Sequence, residues 1–407
     1  MNSRLPTWIG LVTAIHFVVG NLFAEVGTRL RFHGGPVSRS FAIAEFRLPA
    51  DGPAGRAWEL QVAGQRLAVQ AGDGGRAWVV LPALGAGQTV EGQLTAATSR
   101  IRRPQAEAKT NGTRLELRLP EGPVGTYQMG GSELPRADVP EKFRRGGYLH
   151  PLLTPAGRQV TDDYPANHLH HHGVWSPWTK TKFEGRTPDF WNMGDRKGRV
   201  DFVALDGHWS GAVHAGFRAR HRMVDMLSQP EKTALDEAWE VRLFNLGEAM
   251  NRRGHVLEIT MTQTCATASA LELPKYHYGG LGVRGNWAWN GAASTRWLTS
   301  EGLTNRLTAN ETRGRWCWLG GLVDGQVAGL TVLGAPENFR APQPMRVNPT
   351  EPFFCFAPSQ LGDWAIEPGK PYVARYRLLL TDGEPDRELI EQCWRDLAEP
   401  VRVEVLR

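Results

Sequence analysis

Between Gly146 and Trp191 the sequence concentrates side chains that bind, polarise or move protons. His150, His168, His170, His171 and His172 lie there with Asp162, Asp163, Glu184 and Asp189, and with Trp175, Trp178 and Trp191. Five of the chain's 12 histidines fall in this stretch, four of them within His168–His172 and just after a Thr-Asp-Asp-Tyr-Pro turn. A neutral imidazole is a ligand, a base or a hydrogen-bonding partner for hydroxyls. Packing four of them into an apolar core would cost more desolvation than it returns. Pro165 and Gly173 bracket the run and Val-Trp-Ser-Pro-Trp follows, which marks an ordered aromatic setting rather than a tail. If His168–His172 is extended, alternation puts His168, His170 and His172 on one face and His171 on the other. On this reading His168, His170 and His171, with Asp162 or Asp163, line one catalytic pocket against Trp175 and Trp191. The set suits acid–base chemistry, hydrogen bonding to a polyol, or a divalent zinc, copper or iron ion held by His168 and His170. The tight zinc spacings HExxH and CxxC do not occur. A solvated His-rich loop is the plain alternative.

Further candidates lie downstream. Lys275-Tyr-His277-Tyr-Gly-Gly brings a histidine beside an apolar segment, where it completes the His site or sits satisfied in the core. Asn338, Arg340 and Arg346 belong to the proline-punctuated loop Pro336–Pro349. Arginine's planar fork fixes a carboxylate or a pair of hydroxyls, although surface salt bridging is its commoner fate. Glu351, at the end of that loop, is the carboxylate to pair with a histidine for acid–base work. Aromatic faces such as Trp175 and Trp191 stack on the C–H faces of sugars or pack a core. No GxSxG, phosphate loop or dinucleotide fingerprint occurs, which argues against hydrolase triads and nucleotide chemistry.

Several of these residues fall in an ordered set: Tyr148-Leu-His-Pro-Leu, Gly157, Thr161-Asp162, Pro165, His168, His170-His171, Gly173-Val-Trp and Asp189-Phe-Trp. Tyr278-Gly-Gly-Leu-Gly-Val-Arg284, Trp316-Cys-Trp and Pro336-Glu-Asn-Phe-Arg340, with Arg346, continue it. Over roughly residues 130–380 the set resembles a bacterial family of unknown function labelled "PmoA" or methane oxygenase. Asn167 stands where that family usually has Asp, and His172 where it usually has Arg. The resemblance adds Tyr148, His150 and Arg284 to the substrate-binding candidates. Its label implies metal-dependent oxidation, whereas the membrane subunit of methane oxygenase is a multi-span helical protein, unlike this chain.

Residues 1–24 read as a signal peptide: Arg4 gives a positive start, Leu5–Val19 an apolar run and Leu22-Phe-Ala24 a cleavage site. An uncleaved anchor over residues 5–24 is the alternative. The protein is then periplasmic, secreted or membrane-anchored, with no further spanning segment. With 407 residues, 41% apolar, 22% charged and a net charge of +5, the chain is ordinary globular material. It carries no basic stripe or aromatic motif for nucleic acid. Cys265, Cys317, Cys355 and Cys393 lie far apart in apolar settings and read as buried thiols with at most one disulfide.

The elements that must position these residues are mostly strands. Alternation marks Ala57–Val69 as a hairpin, then Arg114–Leu119, Ala238–Phe244, Val256–Thr264 and Tyr372–Leu380; Asp324-Gly325 turns Trp316–Val323 into Gln326–Leu333. The one convincing helix is Pro385–Ala398, with Leu389, Ile390, Cys393, Trp394 and Leu397 on one face. The fold class is therefore all-β. A small N-terminal β-sandwich-like domain spans residues 25–130 and a large antiparallel sandwich residues 131–407, the latter comparable in size to the galactose-mutarotase-like supersandwich.

Three functions fit. The first is an exported carbohydrate-active enzyme, epimerase-, lyase- or hydrolase-like, using the His cluster with carboxylates and with or without a divalent metal. The second is a non-catalytic glycan- or ligand-binding sandwich protein, and the third the metal-dependent oxidoreductase of the family label. The partner in the first two is a small molecule or glycan, not nucleic acid.

Overall fold

The alternating runs Arg114–Leu119 and Tyr372–Asp382 lie in strands, as do most other periodic segments of the chain. The computed structural model describes residues 28–49, 57–97, 105–130, 134 and 136–406. The expected signal segment 1–24 lies outside the described residues. Strands account for 51% of the structure and helix for 10%, in several large antiparallel sheets.

The first sheet has seven strands in the order Arg39–Arg47, Arg76–Leu84, Gln65–Ala71, Trp58–Val62, Thr89–Ala96, Thr28–His33, Arg402–Leu406. Its hairpin turns at Ala63 and Gly64, both at positive φ, the conformation a two-residue hairpin requires. Leu30, Phe32, Leu60, Leu81 and Leu94 form its core. The last strand comes from the far end of the chain: Arg402–Leu406 pairs antiparallel with Thr28–His33, Leu30 opposite Val405.

Two eight-stranded sheets make the large sandwich. One runs Met345–Val347, Phe353–Phe356, Gly282–Arg284, Val174–Trp175, Tyr148–Leu152, Gly122–Gln128, Arg114–Leu119, Glu107–Asn111. The other runs Gly198–Trp209, His214–Asp225, Lys232–Phe244, His255–Cys265, Tyr372–Asp382, Gln326–Gly334, Trp316–Val323, Arg296–Thr299. Leu115, Leu117, Leu149, Val174, Val283 and Phe354 from the first meet Phe217, Trp239, Ile259, Leu330 and Leu378 from the second in one core. Strand pairing therefore runs across the boundary expected near residue 130. The segment Glu107–Gln128 belongs to the large sandwich because Leu115 and Leu117 complete that core, and the N-terminal sheet takes its last strand from residues 402–406 instead.

The long helix is Arg387–Ala398, capped by the Asp386 carboxylate accepting from the Leu389 amide at 3.0 Å. Two four-residue helices, Glu248–Asn251 and Arg306–Ala309, accompany it. Among the described residues no helix is long and apolar enough to cross a membrane. All four cysteines are free thiols.

One row of side chains fixes where the site stands. Leu149 pairs with Val174, Val174 with Val283, Val283 with Phe354 and Phe354 with Val347. These five adjacent strands point that row into the sandwich. Their alternate residues, among them Tyr148, Trp175, Arg284, Phe353 and Arg346, therefore face outward. There they meet a chain segment laid across the sheet: Tyr148, Tyr164, Trp175, Trp191 and Phe353 form a separate apolar cluster.

Candidate functional site

The histidine run is not extended. The His168 amide donates to the Pro165 carbonyl at 2.8 Å and the His171 amide to the His168 carbonyl at 2.9 Å, giving two successive turns. Residues three apart are then superposed: His168 and His171 stack with ring centroids 4.7 Å apart and planes 16° from parallel. His170 stands edge-on, 4.7 Å from His171 and 5.7 Å from His168. The expected alternation fails because the segment must cross the sheet face and re-enter pairing at Val174. Gly173 permits that re-entry, since a Cβ there would lie 2.2 Å from the Leu149 carbonyl oxygen.

Behind the turn, His171 is buried against Phe353, Trp175 and Trp191, at centroid distances of 5.0, 5.6 and 5.9 Å. Trp175 is fully buried and Trp191 4% exposed, so they floor the cluster and present no ring face to a sugar. That corrects their expected role as stacking platforms. The half-buried aromatic is Tyr278, 5.1 Å from Trp191. Arg346 lies over its ring at 4.8 Å and donates to its hydroxyl at 3.1 Å, and His277 packs on it at 4.6 Å. Arg346 and His277 thus join the same aromatic wall.

Glu351 enters from the neighbouring strand connection. Its carboxylate accepts from Asn167 Nδ2 at 2.9 Å and from Arg284 Nη1 at 3.0 Å. Arg284 is fully buried and donates also to Asn290 Oδ1 at 2.7 Å. Burial pushes the Glu351 carboxyl up, but the Asn167 hydrogen bond and the Arg284 charge outweigh it and hold it below the usual carboxylate value. Glu351 lies within electrostatic reach of His168, whose imidazole burial nevertheless lowers. Burial likewise lowers His170 to about 4 and His171 well below its usual value. At neutral pH the three imidazoles are uncharged, and an ionised carboxylate lies within electrostatic reach of His168.

The ring geometry tests the metal expectation. Imidazole lone pairs lie in the ring plane, so the nearly parallel rings of His168 and His171 cannot both aim at one ion about 2 Å away. Among the described residues no three His, Cys, Asp or Glu side chains gather as a metal-binding group. Among the described residues, His168 and His170 therefore have no third metal-ligating side chain gathered with them.

The acids of the preceding turn go elsewhere. Asp163 accepts from Tyr148 Oη at 2.8 Å and lies 2.7 Å from His172 Nδ1. Tyr148 and Tyr164 sandwich the His172 ring, each at 4.6 Å. Burial pushes the Asp163 carboxyl up to about 6 and keeps His172 uncharged. Asp162 turns one oxygen to the Asp163 amide at 2.9 Å, while Oδ2 is buried without a partner. The carboxylate that acts electrostatically on His168 is therefore Glu351, not an acid of the preceding turn. His150, bonded through Nδ1 to Thr161 Oγ1 at 3.0 Å, lines with Tyr148 and Asp163 a cavity of about 630 Å³. His168, His170 and His171 are not in its wall.

Two candidates are structural. Asn338 clamps residue 375, donating to its carbonyl at 2.9 Å and accepting from its amide at 2.7 Å. Arg340 donates to the carbonyls of Pro358, Gly362 and Asp363 at 2.7, 2.8 and 3.2 Å. Both tie their loop to other segments, Asn338 to the strand Tyr372–Asp382 and Arg340 to residues 358–363, and neither is hydrogen-bonded to the imidazole turn.

Sequence reasoning missed Asn167 as a bridge, Tyr278 as a wall, and Arg145. It also missed a buried chain across the sandwich. Tyr127 Oη bonds His221 Nε2; His221 Nδ1 lies 2.9 Å from Glu237; Gln263 donates to Glu237 at 2.7 Å and accepts from Trp178 at 2.8 Å. Tyr127, His221, Glu237 and Gln263 sit singly in four different strands and Trp178 in a loop, and no local motif marks them.

The molecule is thus an antiparallel β-sandwich with a turn of neutral imidazoles on the outer face of one sheet. Residues 114–395 match the Family of unknown function (DUF6807), and the chain belongs to that family. The resemblance to the PmoA or methane oxygenase family is thereby corrected, and the oxidoreductase reading that rested on it falls. No curated protein is significantly similar in sequence. Among solved structures the chain is similar to a protein in glycosyl hydrolase family 38 from Enterococcus faecalis, at 9% identity and a TM-score of 0.45 over 95% of this chain and 48% of that one. It is also similar to an alpha-mannosidase from Enterococcus faecalis V583, at 10% identity and a TM-score of 0.46 over 95% of this chain and 46% of that one. The chain spans about half the length of these solved structures.

Proposed function

We propose that this protein is an exported carbohydrate-active enzyme working at His168 and Glu351. The observation that carries the reading is the clamp on Glu351: buried Arg284 and the Asn167 side chain hold an ionised carboxylate within electrostatic reach of an uncharged, half-buried imidazole. His168 Nδ1 is buried without a partner, which leaves Nε2 as the nitrogen offered to a ligand. In the proposed reaction that imidazole takes a proton from a sugar C–H or O–H and returns it as imidazolium, the step common to epimerase-, lyase- and hydrolase-like chemistry. Glu351 accepts hydrogen bonds from neighbouring hydroxyls, and Tyr278 with Arg346 borders the ligand.

The test is incubation with a panel of monosaccharides and disaccharides, followed by proton NMR. Turnover of at least one sugar, lost by about 100-fold or more in His168→Ala and Glu351→Gln variants that stay folded, supports the enzyme. One observation favours a non-catalytic glycan-binding protein instead: with His168 uncharged and Glu351 ionised, neither is a ready proton donor at neutral pH. Sugar binding without turnover selects that reading. Export by residues 1–24 is tested by sequencing the N-terminus of the mature protein, an intact Met1 on cytoplasmic material refuting it.

A further inference from the structure

The cavity beside Tyr148 and His150 holds a cation with donors to spare. Arg145 lines it and is only 4% exposed. Its Nη1 donates to the Phe190 carbonyl at 3.2 Å, while Nε and Nη2 are buried without hydrogen-bond partners. Burial lowers this guanidinium to about 10, so it remains charged at neutral pH. Among the described residues no carboxylate forms an ion pair with it. Glu237 exerts the largest compensating field, but its oxygens are engaged by His221 and Gln263. Asp163, the acid in the cavity wall, is engaged by Tyr148 and His172. A buried cation with unspent donors is costly unless a partner arrives.

Nε and Nη2 form one edge of the guanidinium, the side-on fork that matches the two oxygens of a planar carboxylate. The rest of the wall suits hydroxyls. His150 commits only Nδ1, to Thr161, and the Tyr148 hydroxyl, which donates to Asp163, can still accept. A cavity of about 630 Å³ is the size of a small-molecule site. We propose that this cavity is a second site, separate from the imidazole turn, which binds a small polyhydroxy carboxylate whose charge draws the enclosed Arg145 fork into the cavity, its hydroxyls on Tyr148 and His150.

Calorimetric titration of the full chain with D-glucuronate, D-glucose and glucose 6-phosphate tests it. Glucuronate should bind at least about tenfold more tightly than glucose, as a charge-assisted pair implies. Arg145→Met should bring the two within about twofold, and so should Arg145→Lys, which keeps the charge but loses the fork. The lysine variant decides if the methionine variant fails to fold. His168→Ala, which by the function proposed above abolishes turnover, should keep the preference, so the two claims fail separately. Equal affinity for glucuronate and glucose, no affinity for glucuronate, a preference surviving both Arg145 variants, or tighter binding of glucose 6-phosphate each overturns the proposal.

Discussion

Arg284 Nη1 and a Glu351 oxygen lie 3.0 Å apart, the guanidinium fully buried and the carboxylate side chain 14% exposed. Arg284 is fixed by its strand, pairing with Phe353, so it aims Glu351 rather than being aimed by it. Replacing Glu351 by Gln leaves a buried cation without its counter-charge and should cost about 1–3 kcal/mol, less than the roughly 3–5 kcal/mol of a fully enclosed pair, because the carboxylate is partly exposed. Chemical denaturation checks it; an unchanged midpoint would show that the pair is not held together in solution.

Acid should weaken the fold. His170 ordinarily titrates near 6.5 and burial lowers it to about 4. The unfolded chain therefore takes up the proton first, so this stability is whole above pH 6.5 and is lost as pH falls from 6.5 to 4. His171 and His172, pushed well below their usual value by burial, act in the same direction. Asp163, raised from 3.8 to about 6, opposes them: its burial penalty is present above pH 6 and relieved between 6 and 3.8. Scanning calorimetry from pH 7 to 4.5 should show a falling Tm, with a smaller fall in His170→Asn. An identical fall in that variant would remove His170 from the account.

His172 should behave as a structural residue although it belongs to the same run. It is 1% exposed, held by Asp163 and packed between two tyrosines. His172→Ala should lose about 2–4 kcal/mol, against about 1 kcal/mol or less for half-exposed His168→Ala. Equal losses in urea unfolding would contradict the division of the run into a buried half and an offered half.

Truncation after Val401 should expose the edge of strand Thr28–His33, which Arg402–Leu406 covers. Loss of that strand should lower the thermal midpoint and raise self-association, because an unpaired edge is a template for another chain. A truncated protein as stable and as monomeric as the full chain would show that the closing strand is dispensable.

Local periodicity made much of this fold legible. Trp316–Val323 and Gln326–Gly334 form the expected hairpin, with Asp324 and Gly325 both at positive φ. The late helix begins at Arg387 rather than Pro385 because Asp386 supplies the cap. What was not legible depends on long-range pairing. Nothing around residue 402 indicates a partner at residue 33, and the outward row Trp175, Arg284, Arg346 follows only from the register of adjacent strands. The histidine density drew attention to the segment that crosses the sheet face, but an extended run was the wrong geometry, since the turns after Pro165 stack residues three apart. Arg145 carried no signal because an arginine beside Arg144 in a Gly-rich passage looks like surface.

The central claim is that the half-exposed imidazoles serve a ligand rather than the fold, and His168 tests it most directly. Thermal stability and sugar binding, measured on the same His168→Ala protein with a sugar bound by the wild type, give the answer. A Tm near that of the wild type together with lost binding or turnover per folded molecule is the expected result. A collapsed Tm with unchanged affinity per folded molecule would make His168 a structural residue and contradict the claim.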